Sequence, residues 1–143
     1  MRELGGRIAN PRWTALACDT FVVWLVDCHP DTRVFERVYA HFMDCVDKIE
    51  IAGPLAAAGS GHKRIEKLTG RRHRGLGKVN VNDSAGAFRF FFKFGTLNGR
   101  PVVVFADGAY KTSDDFLPER YLRALRLVEE CMTKNGVEEA HPW

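Results

Sequence analysis

The feature that most constrains the fold is an alternating aromatic run at residues 87–94, AFRFFFKF. In an extended strand, successive side chains point to opposite faces of the sheet. The run therefore predicts a strand with one wholly aromatic face and one mixed face. The aromatic face carries Phe88, Phe90, Phe92 and Phe94, and the mixed face carries Arg89, Phe91 and Lys93.

Other segments add strands on either side of this one. Residues 20–28 (TFVVWLVDC) are rich in β-branched and aromatic residues, and residues 101–106 (PVVVFA) form a short apolar run, so both are predicted strands. Residues 76–81 alternate less strictly and are also predicted as a strand. After residue 106 we expect residues 107–109 to leave the sheet and residues 110–115 to form a polar loop.

Helical periodicity appears twice. In residues 31–51 the apolar side chains recur three and four positions apart, and Asp31 suits the positive end of a helix. A second stripe follows Pro118 and runs through Leu125 to Met132. Residues 62–68 are predicted to be a short helix or a turn. The resulting order predicts an α+β domain with helices packed on a small, mostly antiparallel, twisted sheet.

The chain length of 143 residues fits one domain. We expect an N-terminal arm at residues 1–19, the domain at residues 20–135 and a loose polar tail at residues 136–143. Residues 1–10 lack the apolar core of a secretory signal, and no apolar run is long enough to span a membrane. The expectation is a cytoplasmic protein that does not contact a membrane.

Four cysteines stand far apart and form no C-x-x-C pair, so we predict neither a disulfide framework nor a metal site. His41 and Cys45 would share a helix face, but two ligands do not make a zinc site. The sequence predicts no cofactor.

Charge is concentrated between residues 62 and 78 (HKRIEKLTGRRHRGLGK), which carry seven Lys or Arg and one acid. The rest of the chain is slightly acidic. A basic stretch in such a body indicates an anionic partner, with RNA or DNA phosphates as the leading candidates. A solvated basic loop, or a docking face for an acidic protein segment, remains the alternative. The basic residues are Lys63, Arg64, Lys67, Arg71, Arg72, Arg74 and Lys78.

Several short motifs, taken in order, resemble the RelE/ParE/HigB superfamily of bacterial and phage toxins, and most closely its phage-derived HigB-like branch. The motifs are KLTG at residues 67–70, LGKV at 76–79, GAFRFFF at 86–92, the strand at 101–106, YKTS at 110–113, and a last helix with Arg120, Ala124 and Leu125. The resemblance covers roughly residues 20–130.

This resemblance implies the toxin of a toxin–antitoxin system, inhibited by a cognate antitoxin protein. RelE-like and HigB-like members are metal-free endoribonucleases that cleave messenger RNA, usually on the ribosome, and so inhibit translation. ParE-like members bind DNA gyrase instead. A nucleic-acid-binding module without cleavage activity is a third possibility, because a fold alone does not select a function.

The resemblance also assigns candidate catalytic residues. Lys78 matches the family's basic residue on the second strand and would contact phosphate or act as a base. Arg89 matches the arginine at the start of the third strand and would hold the scissile phosphate bidentately. His73 is the best acid or base by residue type. Tyr110 would stack on a base or donate a proton. Expected nucleic-acid contacts are Lys63, Arg64, Lys67, Arg71, Arg72, Arg74, Lys93 and Lys111.

Two positions depart from the family pattern. RelE-like enzymes carry a second lysine two residues after the first, and this chain has Asn80 there. Their C-terminal tyrosine or histidine has no clear counterpart, and the spacing of Tyr121 places it on the core face of the last helix. Phe91 has two interpretations: a base-stacking platform or a cover for the first helix.

Overall fold

A sheet stands between two helical layers in this computed structural model, which describes residues 1–56, 61–111 and 118–143. The strands are β1 (Arg2–Glu3), β2 (Thr14–Ala17), β3 (Lys63–Lys67), β4 (Gly77–Asp83), β5 (Gly86–Leu97), β6 (Arg100–Lys111) and β7 (Glu138–Glu139). The helices are α1 (Asp19–Val26), α2 (Thr32–Ala52) and α3 (Pro118–Lys134), and short 3-10 turns occupy Gly53–Leu55 and Arg71–His73.

The sheet is open and mixed, with strand order β1-β2-β6-β5-β4-β3 and β7 paired with β5 beyond the end of β4. The β2–β6 pair is parallel, and the other described pairs are antiparallel. The α+β prediction is therefore confirmed. Within the described residues, no helix is both long and apolar enough to span a membrane.

The alternation predicted for β5 is present. Its four aromatic-face residues are buried in one cluster with α1 and α2, and Phe91 is buried in a second cluster with α3. Each face of β5 thus has its own helical cover. The two long helices also form as predicted, and the Asp31 carboxylate caps α2 by accepting a hydrogen bond from the Arg33 amide at 2.9 Å.

The strand predicted at residues 20–28 is wrong, because most of that segment forms α1. Phe21 and Leu25 are four residues apart and buried, whereas Val23 and Val26 are exposed. This is the pattern of a short helix with one packed side, and packing has overridden the β propensity of the segment. The strand of this region is β2, within the expected arm, and its small residues Ala15 and Ala17 are fully buried beside β6.

Two further boundaries differ from the prediction. Residues 63–67 form the edge strand β3 instead of a helix or turn, with Ile65 buried and its neighbours on the opposite face. Strand β6 continues through residues 107–109, where Asp107 pairs with Phe91 and Gly108 with Phe90. Residues 112–115 of the expected polar loop lie outside the described residues.

The C-terminal tail is packed and not loose. Val137 is buried, β7 pairs with β5, and the Trp143 ring lies 5.0 Å from the ring of Phe94. The sequence predicted no disulfide framework, and the structure contains a single disulfide among the described residues, which joins Cys18, just before α1, to Cys131 near the end of α3. Sequence spacing concealed this pair, since 113 residues separate the two cysteines.

Candidate functional site

A polar cleft lies on the α3-facing side of the sheet, where β3, β4 and β5 extend beyond the helix. The antiparallel register places Arg64 opposite Asn80, and Asn80 opposite Arg89. In the adjacent row, Glu66 lies opposite Lys78. Because side chains alternate along each strand, these groups all project from the same face of the sheet.

The cleft has a volume of about 340 Å³, at the small end of the roughly 300–1,000 Å³ typical of ligand pockets. Its lining is strongly cationic and has few apolar groups, so it suits a small anionic or polar moiety. The lining residues are Gly61, His62, Lys63, Arg64, Lys78, Asn80, Asn82 and Arg89. The structure therefore brings together Lys78 and Arg89, two of the four candidate catalytic residues.

Lys78 is largely enclosed, with a side chain that is 15% exposed. Its ammonium lies 3.5 Å from the Glu66 carboxylate and 5.7 Å from the centre of the Tyr121 ring. Burial, together with the positive charge of Arg89, lowers the pKa of Lys78, although Glu66 opposes this shift. A lysine with a lowered pKa is a better proton acceptor near neutral pH than an exposed one.

Hydrogen bonds to neighbouring residues position the Arg89 side chain. Its Nη1 donates to the Asn82 Oδ1 at 2.9 Å and to the Phe88 carbonyl oxygen at 2.8 Å. Burial lowers its pKa, but a guanidinium stays charged at any physiological pH. The cleft thus contains a fixed, positioned cation, as the recognition of a phosphate oxygen requires.

Asn80 replaces the second family lysine and belongs to the same site. Its Nδ2 donates to the Glu66 Oε2 at 3.0 Å, while its buried Oδ1 has no partner among the described residues. Burial disfavours ionisation of Glu66, but the Asn80 hydrogen bond and the charges of Lys78 and Arg64 outweigh it, so the Glu66 pKa is lowered. Asn80 can therefore accept a hydrogen bond from a molecule in the cleft, a role that its residue type alone did not reveal.

His73 lies beside the cleft and does not line it. Its ring packs edge-on against Tyr121 at 5.6 Å, and its buried Nδ1 has no hydrogen-bond partner among the described residues. Tyr121, predicted on the core face, lies at the boundary of that core: its ring is 5.7 Å from Phe91 and faces Lys78 as well. Phe91 is fully buried against α3, so neither interpretation made from the sequence is correct.

Tyr110 is on the wrong face of the sheet for the predicted role. Because β6 continues past residue 107, Tyr110 pairs with Phe88 and projects toward α1, away from Arg89. Its ring lies 4.6 Å from that of Phe88, and its hydroxyl donates to the Ala85 carbonyl oxygen at 2.8 Å. Lys111 lines a different pocket, beside Trp24 and Arg120.

Lys93 is also misassigned as a nucleic-acid contact. Its side chain is 1% exposed and its ammonium is paired with Glu129 at 3.4 Å and with Glu139. The helix α3 and the tail supply these two acids, and no alternation pattern within β5 could have indicated them.

Several of the other predicted nucleic-acid contacts form ion pairs or hydrogen bonds within the protein. Lys63 pairs with Asp44 at 3.0 Å, Arg74 with Glu129 at 3.1 Å and Arg64 with Glu66, while Lys67 donates to the Trp143 carbonyl oxygen. Arg71 and Arg72 are exposed and have no acidic partner within the described ranges. With Arg74 and Arg126, these two line a second pocket of about 600 Å³ beside α3.

Within the part of the chain that the structure describes, no group of three or more ligand side chains could hold a metal ion. Comparison of the chain with protein-family models, with curated proteins and with solved structures finds no match.

Proposed function

We propose that this protein is a HigB/RelE-like toxin, an endoribonuclease that cleaves messenger RNA on the ribosome and is inhibited by a cognate antitoxin. The observation that carries the proposal is the convergence of Lys78 and Arg89 on one cleft. These residues come from different strands, β4 and β5, and both match basic positions of the toxin family. The motif resemblance to the toxin superfamily supports the same reading.

The chemistry requires few groups. The RNA 2′-hydroxyl attacks the adjacent phosphorus, the bond from phosphorus to the 5′-oxygen breaks, and the products are a 2′,3′-cyclic phosphate and a 5′-hydroxyl. Such a reaction needs a base for the 2′-hydroxyl, an acid for the departing oxygen and positive charge around the transition state. Arg89 supplies fixed charge, and Lys78, whose pKa is lowered, accepts the 2′-hydroxyl proton.

Substrate binding would use the remainder of the basic surface. Asn80 Oδ1 accepts a hydrogen bond from the nucleotide in the cleft. Arg71 and Arg72, in the neighbouring pocket, bind a flanking phosphate of the same strand.

A protein-binding function of the ParE type is the second candidate, and one observation favours it. Helix α1 exposes two apolar side chains, Val23 and Val26, on a surface that is separate from the cleft. Exposed apolar surface is typical of protein-interaction sites. The same surface would serve for the antitoxin, so it does not by itself distinguish a gyrase binder from an inhibited nuclease.

The deciding experiment is induced expression in a bacterial host with labelled amino-acid and thymidine incorporation measured in parallel. We expect translation to fall first and messages to acquire 5′-hydroxyl ends. Lys78→Met should reduce cleavage by about 10²–10³-fold, while Lys48→Met, an exposed lysine on α2, should leave it unchanged. An early fall in DNA synthesis with intact messages would favour the gyrase-type function. Binding of RNA without cleavage would favour the third class.

A further inference from the structure

A histidine outside the motifs that resemble the toxin family lines the candidate cleft. His62 precedes β3 and shares the cleft lining with Lys78 and Arg89. Its carbonyl oxygen accepts a hydrogen bond from the Asn82 amide at 2.6 Å, which ties its backbone to β4. Asn82 also accepts the Arg89 hydrogen bond, so one residue links the histidine backbone to the guanidinium.

The imidazole of His62 is oriented by a second histidine. Its Nε2 lies 3.2 Å from the Nδ1 of His41 on α2, and the ring centres are 4.1 Å apart. One nitrogen donates to the other in this contact. The other ring nitrogen of His62, Nδ1, has no hydrogen-bond partner among the described residues.

The surroundings favour the neutral form of His41. Burial, followed by the proximity of His62 and Lys63, lowers the pKa of His41. The nearby carboxylates already have cationic partners: Asp44 pairs with Lys63 at 3.0 Å and Asp83 with Arg37 at 3.0 Å. A neutral His41 Nδ1 can accept the Nε2–H of His62, and this contact fixes the orientation of the His62 ring.

His73, the acid or base expected from the sequence, lacks these features. It does not line the cleft, and its ring packs edge-on against Tyr121. Its buried Nδ1 has no hydrogen-bond partner in the described ranges. The two histidines therefore make a matched pair for experiment. Both belong to the same basic segment, but of the two only His62 lines the cleft.

We propose that His62 is the general acid of the cleft and that His41 is its positioning residue. The proposal rests on the nuclease function proposed above. In the step, Lys78 takes the proton of the 2′-hydroxyl, the bond from the 2′-oxygen to phosphorus forms and the bond to the 5′-oxygen breaks. The departing 5′-oxygen takes the proton from Nδ1 of His62. No oxidant, reductant or further reactant is required.

The test is single-turnover cleavage of an oligoribonucleotide, with ribosomes present, by the full chain and three variants across pH. His62→Gln should lower the rate by about 10²–10³-fold and abolish the loss of rate at alkaline pH, which reports deprotonation of the acid. His41→Asn should shift that alkaline limb with a smaller loss of rate. His73→Gln should behave as the parent protein. Circular dichroism checks that each variant is folded.

A modified substrate separates catalysis from a structural defect. When sulfur replaces the departing 5′-oxygen, the leaving group needs no proton, so His62→Gln should cleave this substrate nearly as fast as the parent protein. Lys78→Met should not be rescued. If His62→Gln cleaves the normal substrate at the parental rate, or is not rescued by sulfur, His62 is not the acid, although the nuclease function stands. If the parent protein cleaves no RNA, the proposed function fails and this inference fails with it.

Discussion

The sheet face that packs against α3 carries basic residues at both ends, but the two ends differ in how they are covered. At one end, Lys78 and Arg89 line an open cleft; at the other, two steps along β5 from Phe91, Lys93 is sealed inside the protein. The last turns of α3 and the tail cover Lys93, whereas Tyr121, near the start of α3, contacts Lys78. The cover over a strand, and not its residue types, decides which cations can meet a ligand.

Charge balance also separates the two ends. Around Lys93 and Arg74, the acids Glu129 and Glu139 compensate the positive charges one for one. In the cleft, Lys78 and Arg64 share one acid among the described residues, Glu66. The cations of the covered end are therefore paired with acids, whereas the cations that face Glu66 leave excess positive charge for an anionic substrate.

The largest expected difference between the ends is in stability. Lys93→Met should lower the free energy of unfolding by roughly 3–5 kcal/mol, because it removes the buried cation that Glu129 and Glu139 share and leaves Glu129 with Arg74 alone. Lys78→Met should change it by no more than about 1 kcal/mol, since Arg64 and Asn80 still contact Glu66. Urea unfolding of both variants measures the contrast.

A compensating variant serves as the control. Lys93→Met combined with Glu139→Gln should regain part of the lost stability, because the negative charge that lost Lys93 at Glu139 is gone. Equal destabilisation by Lys93→Met and Lys78→Met would show that the two ends do not differ as described.

The next largest loss of stability is expected on removal of the disulfide. Its effect should be confined to the end of the sheet that contains Lys93. Replacing Cys18 and Cys131 with Ala should cost about 2–4 kcal/mol, because the unfolded chain loses the constraint of a long loop. The bond fastens the end of α3 that carries Glu129, so Lys93 should become reactive toward amine reagents while RNA binding at the cleft persists. Mass spectrometry of labelled lysines measures this reactivity. Loss of RNA binding in a folded variant would contradict the separation of the two ends.

Part of this contrast was predictable from the sequence. Alternation along β5 placed Arg89 and Lys93 on the face opposite the phenylalanines, and the long helices α2 and α3 followed from apolar spacing. These elements were accessible because local periodicity reports which side of a strand or helix is buried. The resemblance then selected Lys78 and Arg89, which the register brings together.

The rest depended on contacts between distant parts of the chain. The sequence of α1 resembles a strand, and only its packing of Phe21 and Leu25 shows otherwise. Tyr110 changed face because β6 is longer than its apolar run, and Lys93 was enclosed by acids contributed 36 and 46 residues later. His62 acquires its setting from His41, across a separation of 21 residues, and no local pattern announces such a pair.

A smaller change in stability is expected at the C-terminal tail, which helps to cover Lys93. Trp143 packs against Phe94 and Phe92, with ring centres at 5.0 and 5.7 Å, and its indole nitrogen reaches the Gly75 carbonyl oxygen. Trp143→Ala should cost about 2 kcal/mol, less than a fully buried tryptophan, because the ring is partly exposed. The thermal midpoint should fall, and His141→Ala, at an exposed neighbour, should leave it unchanged. A null result for Trp143 would mean that β7 alone holds the tail.

The smallest expected change in stability concerns Glu66, the acid in the cleft. Its pKa lies below the ordinary value of 4.5, so the ionised carboxylate stabilises the fold above that pH, and the contribution is lost as pH falls through the lower, folded-state value. Glu66→Gln should therefore cost about 1 kcal/mol at pH 7 and nothing once the parent carboxyl is protonated. Unfolding curves at several pH values measure this convergence.

The same substitution should strengthen RNA binding, which no stability effect would produce. Removing the one acid that faces Lys78 and Arg64 raises the positive potential of the cleft, and we expect about fivefold tighter binding of a non-cleavable oligonucleotide at low salt. The gain should shrink as salt screens the charges. Glu36→Gln, at an exposed acid of α2 outside the cleft lining, is the matched control: it removes one negative charge but should leave affinity nearly unchanged. If both substitutions tighten binding equally, RNA responds to net charge alone and the cleft has no special role.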